Sequence, residues 1–457
     1  MKLVSMKEEL IKKYNVPGPR YTSYPTVPHW TANPTQKQWE NEVKKSFIAS
    51  NNSEGISIYI HLPYCESLCT YCGCNMRVSK NHAVELPYIK TVLAEWELYL
   101  KAFESQPIIK EIHLGGGTPT YFSPENLRYL MEGICDKALI AKDHEFSFEG
   151  HPKSTTKAHL ATLFELGFER MSLGIQDFDP KVQEVINRVQ SFELVQEVVD
   201  NARKIGYTSV NFDLIYGLPL QTQQSIIDTI DKVKLLRPDR IAFYSYAHVP
   251  WDKKMQRKFT EADLPADSEK RNLYEVGREL LFKNGYLEIG MDHFALPADP
   301  LFLSIEKGTL HRNFMGYTAN ATQLLVGLGV SSISDSWTCF AQNSKSIQEY
   351  KSLVEEGLFP IVKGHLLTSR EEGMRKHILN LMCNFYTEWE EDEFIDQQID
   401  GSIEALYEME EEGLLKLTEN SLQVTPQGQL FVRNICMLID PKLNKEEVQK
   451  QQFSKTI

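Results

Sequence analysis

The sequence predicts an α/β fold in which a parallel sheet of six strands closes into a barrel or partial barrel. The first observation is that β-branched runs alternate with amphipathic stretches from Ile56 onward. The runs that we interpret as strands are 56–62, 109–114, 145–149, 170–176, 209–215 and 240–247. The stretches that we interpret as helices are 87–103, 124–135, 157–166, 192–205 and 222–236. Six strand–helix units in succession favour right-handed crossovers and a (βα)6 arrangement.

The second observation is that unusual polar residues and glycines fall at the ends of these strands. They are His61, the cysteines of 65–74, the glycines of 115–117, Glu149, Gln176 and Asp213. In a parallel barrel the carboxyl ends of the strands meet at one face, and the chemistry is found there. The sequence therefore predicts a functional site at that face.

The chain of 457 residues is long enough for a large catalytic domain with further parts. Residues 1–50 contain the motif PGPRYTSYPT, whose prolines exclude a helix; we expect either an ordered N-terminal wrap or a lid over a pocket. Residues 51–365 would form the catalytic domain. Residues 366–457 combine helical patterns with a hairpin near 414–424, which predicts a mostly helical C-terminal domain that resembles a winged helix.

The composition indicates an enzyme of a reducing compartment. Hydrophobic residues make up 42% of the chain and charged residues 24%, as in ordinary globular proteins. The net charge of −13 argues against a nucleic-acid partner, which needs a basic surface. We identify no signal peptide and no apolar run long enough to span a bilayer, so we expect a cytoplasmic protein without a membrane partner. Four of the eight cysteines are scattered singly, which disfavours a disulfide framework.

The other four cysteines, Cys65, Cys69, Cys72 and Cys74, lie close together and are the most informative feature of the chain. The CxxxCxxC spacing of the first three suits three irons of a [4Fe–4S] cube, and it leaves the fourth iron open. The amino and carboxylate groups of S-adenosylmethionine (SAM) are the usual ligands of such an iron. This spacing after a predicted strand resembles the radical SAM superfamily. A zinc site formed by the same three cysteines with Cys74 or His61 is the alternative.

Three further features predict the surroundings of such a cofactor. The run HLGGGTPT, which starts at His113, would let the backbone approach a methionine moiety closely, with exposed N–H and C=O groups for its amino group and carboxylate. Glu149 at the end of the third predicted strand suits ribose hydroxyls. Gln176, Asp213 and Arg188 would face one cavity and could bind a second zwitterion, with a structural Arg–Asp pair as the alternative.

Motifs along nearly the whole chain, from Tyr14 to Phe453, carry a close resemblance to a known family. They are PGPRYTSYP, YIHLPYCESLCTYCGCN, HLGGGTPTYF, SLGIQDFD, NFDLIYGLPLQT, YAHVP, GMDHFALP, LHRNF and RNICM. The chain resembles the oxygen-independent coproporphyrinogen III oxidase family, which are the radical SAM enzymes of anaerobic haem synthesis. Cys74 and the PGPRYTSYP motif separate it from the related haem-chaperone branch.

The resemblance implies roles for individual residues. It implies that the cluster is held by Cys65, Cys69 and Cys72. It implies that a first SAM is lined by Tyr59, Tyr71, Gly116, Glu149 and Ile333. It implies that a second SAM is lined by Gly117, Thr118, Gln176, Arg188, Asp213 and Ala247. No side chain is assigned a catalytic role, because the SAM radical carries the chemistry.

Three positions depart from the family's pattern. His151 stands where many relatives have an aspartate, and we expect it to support the site without being catalytic. Tyr71 stands where a phenylalanine is common and should preserve stacking. Met315 stands where a glutamine is expected, which puts the second SAM site in question.

The resemblance implies oxidative decarboxylation of two of the four propionates of coproporphyrinogen III to vinyl groups, which gives protoporphyrinogen IX. A reduced low-potential donor protein would supply one electron to the cluster, and SAM cleavage would yield the radical that removes a propionate hydrogen. We expect a monomer. Candidate contacts for the tetra-anionic substrate are Arg20, His248, His293 and Arg312. A haem-handling protein, or a radical SAM methyltransferase or haem-opening enzyme, is the alternative.

Overall fold

The computed structural model of the protein describes residues 9–251, 253–390, 393–443 and 456. The chain divides into two compact units, each assembled from segments that are distant in sequence. One unit, here called the barrel unit, comprises Pro34–Phe302 and Thr322–Gly364. The other, here called the second unit, comprises the described residues of Met1–Asn33, Leu303–Ala321 and His365–Ile457.

The barrel unit is built on six parallel strands that follow one another in sequence and in space. They are β1 (Ile56–Leu62), β2 (Ile108–Gly116), β3 (Leu139–Gly150), β4 (Phe168–Gln176), β5 (Ser209–Tyr216) and β6 (Arg240–Ser245). Each strand pairs in parallel with the next one along the chain. This is the predicted (βα)6 partial barrel of an α/β fold, and it brings the carboxyl ends of all six strands to one face.

The sheet continues beyond the barrel on both sides. The further strands are β7 (Leu287–Gly290), β8 (His293–Ala295), β9 (Leu324–Leu328), β10 (Ile333–Asp335), β11 (Cys339–Asn343) and β12 (Ile361–Leu366). The complete order is β12-β11-β10-β9-β1-β2-β3-β4-β5-β6-β8-β7. Strand β9 is parallel to β1, whereas β8 is antiparallel to β6.

Helices connect the barrel strands and cover the outside of the sheet. They are Glu85–Ala102, Pro124–Cys135, Lys157–Glu165, Phe192–Ile205, Gln223–Leu236 and Asp267–Lys283. Their starts are specified locally, because Ser123, Thr156, Ser191 and Thr222 each accept a backbone hydrogen bond at the N-cap. Each helix buries an apolar stripe, and alternate residues of the strands are buried beneath it.

The second unit contains most of the remaining helices. They are Ser369–Asn384, Glu393–Asp400, Ile403–Glu411 and Val432–Ile439. Strands Tyr386–Glu388, Ser421–Val424 and Leu415–Leu417 form a small antiparallel sheet in that order. The chain turns at Gly401 and Ser402, which separates the helix Glu393–Asp400 from the helix Ile403–Glu411. These elements form the mostly helical C-terminal part that the sequence predicted.

The N-terminal residues are anchored inside the second unit. The guanidinium of Arg433 donates to the carbonyl oxygens of Gly18 and Pro19, the latter at 2.8 Å. The Tyr21 hydroxyl donates to Asp440 at 3.0 Å. The helix Gln36–Ser50, in contrast, belongs to the barrel unit, so residues 1–50 are shared between the two units. Among the described residues, no helix is both long and apolar enough to cross a membrane.

Candidate functional site

The cysteine loop begins directly after β1 and is closed by backbone hydrogen bonds. Residues Tyr64–Cys65 pair with Arg77–Val78, and the Ser79 N–H donates to the Cys65 carbonyl at 2.9 Å. The Thr70 N–H donates to the Ile186 carbonyl at 3.0 Å, which ties the middle of the loop to the segment after β4. The loop is therefore held at the carboxyl face of the barrel from two sides.

The three predicted cluster ligands differ in their surroundings. Cys69 is buried, whereas Cys65 and Cys72 are half-buried and Cys74 is exposed. The thiol of Cys65 lies 3.3 Å from the hydroxyl of Thr118, and burial raises the pKa of Cys65 to about 11. The hydrogen bond from Cys74 lowers the pKa of the Cys72 thiol. Within the described ranges, no three His, Cys, Asp or Glu side chains converge closely enough to hold a single metal ion.

His61 has both ring nitrogens engaged within the protein. Its Nε2 lies 2.8 Å from the Asn75 carbonyl oxygen, which can only accept, so Nε2 carries the hydrogen. Burial lowers the pKa of His61, and the neutral ring then accepts at Nδ1 from the Tyr59 hydroxyl at 3.1 Å. This arrangement leaves no ring lone pair for a metal and argues against His61 as the fourth ligand of a zinc site.

The glycine run at the end of β2 is confined by the protein itself. A Cβ on Gly116 would lie 2.8 Å from the His61 ring, and one on Gly117 would lie 2.6 Å from the Pro63 carbonyl group. The N–H groups of Gly116, Gly117 and Thr118 donate to Glu149, Leu62 and Tyr64. The sequence predicted that the N–H groups of this run would receive a carboxylate. Since those of residues 116–118 are occupied, their carbonyl oxygens suit an ammonium group better.

Glu149 on β3 is held by two neighbours that belong to β2. Its Oε2 accepts from the Gly116 N–H at 3.2 Å, and its Oε1 lies 3.4 Å from His113 Nε2. The His113 ring stacks on the Tyr59 ring with centroids 5.9 Å apart, and its Nδ1 lies 2.8 Å from the Ser147 hydroxyl. The His113 ring therefore links Glu149 to Ser147. Sequence reasoning did not identify His113 as a site residue.

Gln176 ends β4 in a left-handed backbone conformation, with φ 67°. The residue is 8% exposed, and its side-chain amide oxygen, Oε1, is buried without a hydrogen-bond donor among the described residues. A buried amide oxygen without a partner is costly unless a ligand supplies the donor. Gln176 therefore fits a place beside a bound polar group, and its assignment to a second SAM stays a prediction.

Arg188 and Asp213 have separate sets of partners. Arg188 donates to the Gly174 carbonyl through Nε at 3.1 Å and Nη2 at 2.6 Å, and its Nη1 lies 3.6 Å from Cys69 Sγ. Asp213 accepts from the Ser172 hydroxyl at 3.0 Å and from Asn211 Nδ2 at 2.9 Å. Among the described residues they do not form the structural ion pair that we considered from the sequence.

The position of Asp213 differs from the prediction. It lies inside β5, which continues to Tyr216, and not at the strand end. Burial first and the nearby Glu149 charge second raise the pKa of Asp213 to about 6. The nearby Arg188 charge acts in the opposite direction.

Tyr71 and Ala247 are linked by a residue that the sequence did not single out. The side-chain amide of Gln256 donates to the Tyr71 carbonyl at 3.1 Å and to the Ala247 carbonyl at 3.2 Å. Its oxygen accepts from the Val249 N–H at 2.6 Å. The cysteine loop is thereby fixed to the segment that follows β6.

Two of the remaining site residues, Tyr59 on β1 and Ile333 on β10, both adjoin Gly327 of β9. Tyr59 pairs with Gly327 of β9, and a Cβ on Gly327 would meet the Ile333 backbone at 2.5 Å. The predicted first SAM set therefore occupies β1–β3 with β10 and the cysteine loop. The second set is more dispersed: it lies directly after β2 (Gly117, Thr118), on β4 (Gln176), between β4 and β5 (Arg188), on β5 (Asp213) and after β6 (Ala247).

The residues that depart from the family pattern are in different units. In the barrel unit, burial and the charges of Arg188 and Lys153 lower the pKa of His151 to about 3. The Lys153 N–H donates to His151 Nδ1 at 3.1 Å, so the neutral ring carries its hydrogen on Nε2. Met315 lies in the second unit, in the turn of a hairpin, and its N–H donates to Asn313 at 2.9 Å.

The four candidate substrate contacts are also divided between the units. His248 and His293 belong to the barrel unit, with Tyr246 and Tyr244 hydroxyls 3.0 Å and 3.3 Å from their rings. Arg20 and Arg312 belong to the second unit, where Arg312 Nη2 donates to the Arg20 carbonyl at 3.3 Å. The two histidines therefore have hydrogen-bond partners within the barrel unit, and the two arginines are bonded to each other within the second unit.

A parallel (βα)6 barrel with a three-cysteine loop after its first strand is the architecture of a radical SAM protein. The family model that matches, described as the Radical SAM superfamily, covers residues 59–233. The donor set fits its cofactors, a [4Fe–4S] cluster and SAM, because three thiols share one loop and Gln176 has a buried oxygen without a donor.

Near full-length relatives define the family more closely. The chain is 39% identical to the oxygen-independent coproporphyrinogen III oxidase of Helicobacter pylori, over 98% of this chain and 99% of that protein. It is 36% identical to the Escherichia coli protein of the same name, over 98% of each. The solved structure of coproporphyrinogen III oxidase (HemN) from Escherichia coli superimposes with a TM-score of 0.87 at 35% identity, covering 93% of this chain and 98% of that one. The chain belongs to the oxygen-independent coproporphyrinogen III oxidase family.

Proposed function

We propose that the chain catalyses the oxygen-independent, radical SAM oxidative decarboxylation of two propionates of coproporphyrinogen III. Each of the two propionates becomes a vinyl group of the macrocycle, so the products are protoporphyrinogen IX and two CO₂. This reaction is a step of haem biosynthesis. The observation that carries this proposal is the similarity to enzymes of that name over 98% of the chain. The cysteine loop at the carboxyl face of the barrel supports it.

Cys65, Cys69 and Cys72 would hold the [4Fe–4S] cluster. Arg188 supports this assignment, because a guanidinium 3.6 Å from Cys69 Sγ favours the thiolate that an iron requires. Cys74 is exposed and would not be a ligand, since three thiolates are enough for a cube whose fourth iron binds SAM.

Two SAM molecules would bind beside the cluster. We assign the first to Tyr59, Tyr71, Gly116, Glu149 and Ile333. We assign the second to Gly117, Thr118, Gln176, Arg188, Asp213 and Ala247. The first set has Tyr59, Gly116 and Glu149 on β1–β3, whereas Gln176 and Asp213 of the second set lie on β4 and β5, and this difference supports two sites.

When bound, the cluster and SAM supply the one-electron chemistry that removes a hydrogen atom from the β-carbon of a propionate. The chain's own residues bind and orient. Glu149, held by His113 and Gly116, presents carboxylate oxygens to ribose hydroxyls. Asp213 presents a carboxylate to an ammonium or ribose group, and Gln176 Oε1 accepts a hydrogen bond from the ligand. For each propionate, CO₂ leaves, one hydrogen atom is removed, and one further electron passes to an acceptor.

The partners of the reaction follow from this chemistry. Coproporphyrinogen III is the substrate, and we propose a reduced low-potential protein as the electron donor. We also propose that the protein is cytoplasmic, because thiol ligands and an exposed Cys74 require a reducing compartment. We propose further that it is a monomer.

The test is anaerobic reconstitution of the cluster followed by turnover of coproporphyrinogen III with SAM and dithionite. Protoporphyrinogen IX, measured after oxidation by chromatography and mass, is the expected product. Haem binding without porphyrinogen turnover would identify a haem-handling protein instead. Methylated or ring-opened products would identify another radical SAM activity.

A further inference from the structure

A short basic segment follows β6 and lies beside the cysteine loop. We call Trp251 together with residues 253–258 the basic segment; it contains Lys253, Lys254, Arg257 and Lys258. Lys254, Arg257 and Lys258 are exposed, and the Trp251 side chain is 58% exposed. Residues 251–258 carry these four cations against the single carboxylate of Asp252, so this stretch is positive in a chain whose net charge is −13.

The basic segment is attached to the loop that carries the predicted cluster ligands. Its own residue Gln256 is 1% exposed and donates to the carbonyl of Tyr71, which stands between Cys69 and Cys72. The Tyr71 side chain also packs against a buried cluster that includes Phe259, the residue directly after the segment. The cations are therefore held at a fixed place next to the cysteines.

Three of the cations, Lys254, Arg257 and Lys258, form no ion pair with a described residue. Arg257 donates through Nε to the Pro250 carbonyl at 2.9 Å, which leaves the rest of its guanidinium outward. Lys254 and Lys258 form no ion pair with any described residue. The exposed Trp251 and Arg257 are of residue types that are enriched at protein interfaces, and the lysines beside them add positive charge.

We propose that the basic segment is the docking surface for an acidic electron-carrier protein that reduces the cluster. This inference rests on the proposed function, because only a radical SAM enzyme needs that electron. In the step, one electron leaves the reduced carrier and enters the cluster. The carrier is oxidised by one electron, the cluster is reduced by one, and no covalent bond forms or breaks.

Charge complementarity gives this surface its selectivity. Opposite charges steer two proteins together and raise the association rate by about 10-fold to 1,000-fold at low salt. Screening over a Debye length of about 8 Å at physiological ionic strength makes this rate fall as salt increases. A small reductant such as dithionite needs no docking surface, so it bypasses the basic segment.

The experiment compares the two reductants on the reconstituted full-length enzyme. The triple variant Lys254→Glu, Arg257→Glu, Lys258→Glu is assayed with reduced flavodoxin, an acidic one-electron carrier, and separately with dithionite. We expect the apparent KM for flavodoxin to rise about tenfold or more, while turnover with dithionite stays within about twofold of wild type. Binding of flavodoxin to the cluster-free chain, measured by calorimetry, should weaken in parallel.

A matched control changes the same charge elsewhere on the barrel unit. Lys157→Glu, Lys204→Glu, Lys234→Glu alters three exposed lysines on the outer helices and should leave both reductants unaffected. If the control variant weakens flavodoxin as strongly as the test variant, net charge is responsible and the proposal is overturned. An unchanged flavodoxin KM in the test variant overturns it too.

Two further outcomes separate this inference from the proposed function. If wild type turns over with neither reductant, the proposed function fails first. If the test variant loses dithionite turnover through a higher KM for coproporphyrinogen III, the cations serve the anionic substrate and the inference is wrong. Should the variant lose iron, salt titration of the wild-type enzyme decides: a flavodoxin rate independent of ionic strength overturns the proposal.

Discussion

Replacing Asp213 by asparagine should stabilise the cofactor-free protein at neutral pH while weakening the binding of SAM. The carboxyl pKa is raised from 3.8 to about 6 in the fold, foremost by burial. A raised carboxyl pKa means that ionisation costs the folded state free energy, so stability from this group is lost as the pH rises between about 4 and 6. At about 1.4 kcal/mol for each pKa unit, the cost above pH 7 is about 3 kcal/mol. The neutral amide of the Asp213→Asn variant would not carry that cost.

The substitution preserves the shape and the hydrogen bonds of the site. Asn211 Nδ2 can still donate to the new amide oxygen, and the Ser172 hydroxyl can rotate to accept from the new amide nitrogen. A loss of packing is therefore not expected. The variant lacks the negative charge that would accept a hydrogen bond from a SAM ammonium or ribose group. A hydrogen bond to a charged group contributes about 1.5–3 kcal/mol to binding.

Two assays test this prediction. Urea unfolding of the cofactor-free chain at pH 5 and pH 8 measures its stability, and equilibrium dialysis measures how many SAM molecules bind to the reconstituted enzyme. The stability gain of Asp213→Asn should be about 1.4 kcal/mol larger at pH 8 than at pH 5. SAM stoichiometry should fall below two while iron content is retained, and Asp213→Ala should do the same. An equal gain at both pH values would refute the electrostatic reasoning, and two retained equivalents of SAM would refute the assignment to the second site.

Three further predictions concern the cysteine loop and the N-terminal residues. Cys74→Ser should keep the iron content and brown absorbance of wild type, whereas Cys69→Ser should lose both; equal losses would make Cys74 a ligand. Gly117→Ala should reduce iron incorporation and cost about 1–3 kcal/mol by overpacking, since its Cβ would lie 2.6 Å from Pro63 backbone atoms. Gly73→Ala is its matched control, because nothing lies within 4 Å of that position, and similar behaviour of the two variants would contradict the steric argument. A chain beginning at Trp30 should retain cluster content but decarboxylate the substrate poorly. Its second unit should also melt at a lower temperature, because buried Arg433 loses its Gly18 and Pro19 acceptors. Full activity of this chain would show that residues 14–29 are only a wrap.

Local sequence patterns were sufficient to predict the barrel strands and several helices. Ile56–Leu62, Pro124–Cys135 and Phe192–Ile205 have the predicted bounds, because capping residues and apolar periodicity specify them locally. Strand β3 begins six residues earlier than predicted, at Leu139, since its first half is largely exposed and is set by pairing with β2. Pairing with a distant segment leaves no local periodicity to recognise.

The site was predicted only where a motif marked it. The cysteines and glycines are visible from spacing, but the reason for the glycines is contact with His61 and Pro63, which only the fold brings near. His113 was missed although a pattern was present, because polar residues at alternate positions of apolar strands, such as Ser147 and Asn211, mark the inward face of a barrel. Gln256 had no such pattern, since its partners Tyr71 and Ala247 are set by tertiary structure.

The bond between Arg433 and Pro19 has a consequence for the order of events on the ribosome. Its two residues are 414 positions apart, so residues 18–19 emerge long before the helix that receives them has been translated. Residues 34–364, in contrast, contain every segment of the barrel unit, and they are translated before that helix, Val432–Ile439, is reached. Since domains fold as units during synthesis, the cysteine loop can form while the second unit is still unfinished. Iron–sulfur assembly factors could therefore act on a nascent chain in which residues 18–19 have not yet bonded to Arg433.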